Sequence, residues 1–284
     1  MSEQHLGVGY ACQFLKKSIR LGEVRLEYLS GGKGPPLLYL HGLAAWNGWD
    51  TDHIALGLTN TVYAPILPGW KSGEFPPGVR RITDYATILR QLVSELGAER
   101  IDLVGHSVGG LIAAYLASEE PGLVNRLVLV DALGLDVAEA PTARLETLDE
   151  EALFHTAFST SGAMVVAGDF GGVPINLRSG MTFRQLQRGI KSLMALTGGR
   201  PADPELVPRL AKIAAPTLVV WGEQDGVVPL RHGEIMAQRI PHARLAIIEG
   251  AGHIPQKERG QAFVRLLRNF LLDSREEVAG VRFA

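Results

Sequence analysis

One cysteine, Cys12, stands in a chain of 284 residues. No intramolecular disulfide can form, and a lone thiol suits a reducing compartment. Long apolar runs are missing too: none approaches the ~20 residues needed to span a bilayer. Nor is there an excess of one charge, since 28 Lys and Arg face 30 Asp and Glu for a net charge of −2. Such a surface has no long-range field to collect nucleic acid or anionic lipid. The first residues, Met1-Ser2-Glu3-Gln4-His5, lack the basic-then-apolar pattern of a signal peptide. The expectation is a cytoplasmic protein with no membrane insertion and no nucleic-acid partner.

Other chemistries are also missing. The eight histidines are dispersed, with no His-x-x-x-His pair and helical Glu to hold zinc, so no metal and no cofactor is expected. Gly31-Gly32-Lys33-Gly34 is superficially a phosphate loop. Pro35 and Pro36 follow it, which denies it the helix N-terminus that would bind phosphate.

What is present is a globular composition, 46% hydrophobic and 20% charged. Short apolar runs alternate with amphipathic ones. Candidate strands are 37–40, 61–64, 101–104, 127–130, 217–221 and 245–248, four or five residues each and of the near-continuous apolar kind that a buried parallel sheet requires. Val24-Arg25-Leu26-Glu27-Tyr28 alternates and reads as an antiparallel edge. Helical periodicity marks 85–96, capped by Thr83 and ended by Gly97, and recurs in 110–118, 231–239 and 259–272. This order predicts an α/β fold with a mostly parallel central sheet and helices on both faces.

Residues 135–205 break the rhythm. They carry Phe154, Phe158, Met164, Phe170, Met181, Phe183 and Met194, more large apolar residues than a solvated loop would hold. The stretch is expected to be an inserted helical cap on a core formed by 1–134 and 206–284. No internal repeat is visible.

The chemistry centres on Gly105-His106-Ser107-Val108-Gly109, set between the strand ending at Val104 and a helical run. A serine on such a strand-to-helix turn has its Oγ lifted above the sheet, and the flanking glycines avoid collisions. Serine is a weak nucleophile that needs a base and an orienting acid. Asp225 follows one predicted strand and His253 the next, in the order Ser…Asp…His, all at strand carboxyl ends. Asp131, after strand 127–130, is the rival acid; Glu223 is a weaker one. The backbone N–H groups of Val108 and of Leu43 (Ala44 if the loop turns one residue later) are candidates to hold an oxyanion. His41 is expected to shape that loop and His106 to pack, neither acting as base. Trp46, Trp49 and Trp70, with Phe154, Phe158 and Met164 from the cap, are candidates to line an apolar substrate pocket, with packing of the cap onto the core as the competing role, favoured for any single one of the three cap residues.

The His41-Gly42 loop, the Pro68-Gly69-Trp70 turn, the Ser107 elbow, the Asp225 loop and the His253 loop occur in that order over residues 24–272. Together they resemble the α/β-hydrolase superfamily, in its serine-nucleophile branch of carboxylesterases, lipases, enol-lactonases and meta-cleavage carbon–carbon hydrolases. Lys71 stands where many relatives have glycine, and His106 where carbon–carbon hydrolases often have asparagine. The resemblance implies cleavage of a small-to-medium carboxylic ester through an acyl-enzyme. Hydrolysis of a meta-cleavage product or an enol-lactone, or a ligand-sensing module on the same scaffold, are the alternatives. The partner is then an apolar ester or related carbonyl compound; the oligomeric state is left open.

Overall fold

A computed structural model describes residues 14–43, 51–70, 75–159, 183–274 and 276–284. Its centre is a nine-stranded sheet. The strands are β1 (Phe14–Leu21), β2 (Val24–Gly32), β3 (Pro36–Leu40), β4 (Thr61–Ile66), β5 (Ile101–His106), β6 (Val124–Val130), β7 (Thr217–Gly222), β8 (Ala243–Ile248) and β9 (Val281–Phe283). They lie in the order β1-β2-β4-β3-β5-β6-β7-β8-β9. Pairing is parallel from β4 through β8; β1, β2 and β9 pair antiparallel at the two edges.

The helices are α1 (Thr51–Leu56), α2 (Asp84–Glu95), α3 (Val108–Glu119), α4 (Glu150–Ala157), α5 (Phe183–Leu196), α6 (Leu206–Leu210), α7 (Arg231–Arg239), α8 (Pro255–Glu258) and α9 (Gly260–Leu271). Strand side chains alternate between two cores, as a pleated strand demands. Leu127 and Leu129 of β6 join the apolar cluster under α2, α3 and α7, whereas Val128 and Val130 join the one under α9. On α9 the buried residues Phe263, Leu266, Leu267, Phe270 and Leu271 follow the i, i+3, i+4, i+7, i+8 stripe of a surface helix. Each such side chain contributes about 1.5–3 kcal/mol by leaving water. No helix among the described residues is long and apolar enough to cross a membrane.

At the start of α2 one local detail differs from expectation, and its end is as expected. Thr83 makes no capping bond at the start of α2. Instead Asp84 Oδ2 accepts from the backbone N–H groups of Arg80 and Arg81 at 2.7 and 2.9 Å. The carboxylate does the work because Thr83 is itself already helical in backbone conformation. At the other end Gly97 has φ +70°, and the Ala98 and Gly97 N–H groups bond Val93 O and Ser94 O. That is the left-handed glycine end of a Schellman turn.

The two ends of the 135–205 stretch meet. Gly134 and Ala202 form a parallel bridge, and Asp203 N–H donates to Gly134 O at 2.8 Å. The chain thus leaves the sheet after β6 and returns to the same place. Within the stretch, α4 and α5 lie over the carboxyl ends of the strands. A Cβ on Gly189 of α5 would sit 3.0 Å from Leu43 O, and one on Gly252 would sit 2.7 Å from Ala157 O.

Candidate active site

Ser107 links β5 directly to α3, with φ 56° and ψ −119°. These angles match the first central residue of a II′ turn, which favours glycine. A serine held there stores strain of about 1–2 kcal/mol. Its surroundings leave no alternative path. A Cβ on Gly105 would lie 2.3 Å from Gly109 O, one on Gly109 2.4 Å from Leu40 O, and one on Gly110 2.5 Å from the Ala132 Cβ. Strand, turn and helix therefore approach too closely for side chains at 105, 109 or 110.

Three chemical groups from three strand ends converge. His253 Nε2 lies 3.0 Å from Ser107 Oγ, and His253 Nδ1 lies 2.8 Å from Asp225 Oδ2. Because Asp225 can only accept when ionised, the Nδ1–H donates to it and Nε2 presents a lone pair to the serine hydroxyl. Asp225 Oδ1 accepts from the Val227 and Val228 N–H groups at 2.8 and 2.9 Å. It both builds the turn its Asp-Gly pair suggests and faces the imidazole. All three residues are buried.

The His253 loop is fastened by a group the sequence reading overlooked. Glu258, 1% exposed, accepts from Gly252 N–H (3.0 Å) and Ile254 N–H (3.3 Å) through Oε1. Its Oε2 accepts from Ser159 N–H (2.9 Å) and lies 2.8 Å from Ser159 Oγ. His253 N–H in turn donates to Ala157 O at 2.7 Å. The end of α4 and the histidine loop are thus one hydrogen-bonded unit. An acid five residues after a histidine carries no distinctive signal, so only the fold reveals it.

His41 and His106 are structural in their contacts. Leu67 N–H donates to His41 Nε2 at 3.0 Å, which leaves Nδ1 to donate to Gly42 O. Burial pushes the His41 ring down to about 4. His106 Nε2 lies 2.8 Å from His253 O, and burial, then the neighbouring His253, pushes it down to about 3. The hydrogen bonds of both rings go to backbone groups, whereas Ser107 Oγ is bonded by His253. A Cβ on Gly42 would fall 3.2 Å from the Ser107 Cβ, so the Leu43 loop lies directly beside the serine. Val108 opens α3, whose N-terminal N–H groups and dipole favour negative charge.

The remaining candidates divide. Trp70 is 1% exposed, in the main core against Tyr85 with ring centroids 6.3 Å apart. Phe154 and Phe158 are half-buried and stack at 4.8 Å. Ala44, Trp46, Trp49 and Met164 lie outside the described residues. Glu223 is exposed, accepts from Gly250 N–H at 3.1 Å and sits 3.5 Å from Arg282. Asp131, after β6, is fully buried.

A model of the alpha/beta hydrolase fold matches residues 35–260. A 2-hydroxy-6-oxo-6-phenylhexa-2,4-dienoate hydrolase of Comamonas testosteroni is 30% identical, over 93% of this chain and 97% of its own length. Among solved structures, a putative lipase from Acinetobacter baumannii superposes with a TM-score of 0.73 at 25% identity, covering 92% of this chain and 91% of that one. A thermophilic esterase from Thermogutta terrifontis has the same fold, with a TM-score of 0.71 at 24% identity over 92% of this chain and 98% of that one.

Proposed function

Starting from a chain that belongs to the alpha/beta hydrolase fold family, we propose a metal-free serine hydrolase that cleaves a small-to-medium carboxylic ester. The observation that carries this reading is the pair of contacts from His253, 3.0 Å to Ser107 Oγ and 2.8 Å to Asp225 Oδ2. Ser107 Oγ attacks the ester carbonyl as His253 Nε2 takes its proton. Asp225 holds the tautomer and stabilises the imidazolium. The Leu43 and Val108 N–H groups receive the oxyanion, each contributing about 2.7–4 kcal/mol to the transition state. His253 then gives its proton to the leaving alcohol, and an acyl-Ser107 remains. Water, deprotonated by His253, releases the acid and restores Ser107. The 135–205 stretch serves as a cap that shapes the acyl pocket, with Phe154 and Phe158 at its apolar wall.

A second reading is hydrolysis of a carbon–carbon bond in a dienoate. It is favoured by the Comamonas relative, which is a dienoate hydrolase and matches nearly end to end. The same serine, base and acid would serve it.

The test is a turnover panel on the native protein and Ser107→Ala: p-nitrophenyl esters from acetate to decanoate, a meta-cleavage dienoate and an enol-lactone. A Ser107-dependent optimum among the esters supports the first reading. Rapid loss of the dienoate chromophore with feeble ester turnover transfers the assignment to the second. A folded protein inert on every substrate speaks for ligand sensing.

A further inference from the structure

The residue left over is Asp131. It follows β6 just as Asp225 follows the neighbouring β7, and its N–H donates to Val220 O at 2.9 Å. It is fully buried and has φ 43°, an uncommon backbone for a residue with a side chain. Asp131 Oδ1 accepts from Gly222 N–H at 2.8 Å. Its Oδ2 is buried with no N–H donor facing it, and the carboxyl lies against that of Asp225. A carboxylate oxygen, an imidazole nitrogen and a second carboxylate oxygen from Asp131, His253 and Asp225 all lie within 4.8 Å of one another. We propose that Asp131 is a reserve acid of this site, placed to pair with His253 when the Asp225 carboxylate is absent.

The proposal rests on the serine hydrolase reading above. The two acids cannot both stay charged at that separation in a buried site. Hydrogen bonding decides where the proton sits. Asp225 accepts from three donors, namely Val227 N–H, Val228 N–H and the His253 ring. Asp131 accepts from one. Burial, and then the charge of Asp225, push Asp131 well above the usual carboxylate range; a hydrogen bond from the neutral Asp131 carboxyl to Asp225, and then Glu258, add to this, while the Gly222 N–H opposes it. Asp131 is therefore the neutral member. With Asp225 truncated, the main repulsion disappears and a protonated His253 is a counter-charge within 4.8 Å. Asp131 then loses its proton and faces the imidazolium as a carboxylate.

The experiment is a kinetic cycle on Asp131→Asn, Asp225→Ala and the double variant, with Ser107→Ala alongside and folding checked by circular dichroism. Asparagine keeps an acceptor for Gly222 N–H and a donor like the neutral acid, but cannot ionise. The expected result is that Asp131→Asn lowers kcat by roughly tenfold or more in the Asp225→Ala background, and by a smaller factor in the otherwise native enzyme. The acid limb of the Asp225→Ala profile should show two ionisations, His253 and Asp131, and the double variant only one. That profile also tests the proposal in Asp225→Ala alone, should Asp131→Asn not fold. Equal factors in the two backgrounds, or a single ionisation in Asp225→Ala, overturn the proposal while leaving Ser107-dependent turnover standing. Turnover that survives Ser107→Ala overturns the underlying reading, and the reserve acid with it.

Discussion

Glu258→Ala removes the carboxylate that joins the histidine loop to the end of α4. Three backbone donors, Gly252, Ile254 and Ser159 N–H, lose their acceptor. Ser159 Oγ keeps Gly250 O at 2.8 Å. Each buried donor left unsatisfied costs about 1–3 kcal/mol, so the loss is at least ~3 kcal/mol before any water enters the space. For a chain of this size ~1 kcal/mol shifts the melting temperature by about 2 °C, giving a fall of roughly 6 °C or more. Glu258→Gln retains one oxygen for the Gly252 and Ile254 donors and should lose about half as much. Calorimetry or far-ultraviolet melting reads the stability. Steady-state kinetics on the best substrate should show a lower kcat, because His253 is carried by the loosened loop. A melting temperature within ~2 °C of the native protein in Glu258→Ala would refute the clamp.

Three further outcomes are expected. Gly109→Ala should fail to accumulate as folded protein, since its Cβ would lie 2.4 Å from Leu40 O and 2.6 Å from His41 O; a soluble variant with native melting would contradict the close approach. Ser107→Gly should melt above Ser107→Ala by an amount equivalent to about 1 kcal/mol, because only glycine relaxes at φ 56°; equal melting would mean that the turn stores no strain. His41 and His106, held down at about 4 and about 3, stay neutral in the folded chain while the unfolded chain binds protons from about pH 6.5 downward. Their contribution is complete above about pH 6.5 and is lost as pH falls towards 4 and then 3. Melting temperature should decline across that window, and less so in His106→Asn; a flat profile from pH 7 to 4.5 would contradict this.

The central strands were legible because both faces of β5 and β7 are buried, which forces unbroken apolar runs. The edges were not. In β1, Lys16 and Lys17 interrupt the pattern because the strand is exposed, with Lys16 pairing Glu27 at 2.8 Å. In β9 three residues are too few to show a period. The α3 helix starts at Val108, two residues earlier than expected, since Gly109 and Gly110 weaken the helical signal yet are demanded by packing. The positions of Ser107, Asp225 and His253 followed from strand ends and chain order. What Asp131 and Glu258 touch did not, because Gly222 and Ser159 are distant in sequence and only the folded sheet brings them near. Trp70 shows the same limit: a loop position next to Pro68-Gly69 says nothing about whether the ring faces a substrate or Tyr85.

The most direct measurement is covalent labelling with a fluorophosphonate, followed by intact-mass and peptide mass spectrometry. The predicted result is one adduct per chain, on the peptide bearing Ser107, absent in Ser107→Ala and much slower in His253→Ala. An unmodified chain, or an adduct that persists in Ser107→Ala, would contradict an activated serine at this site.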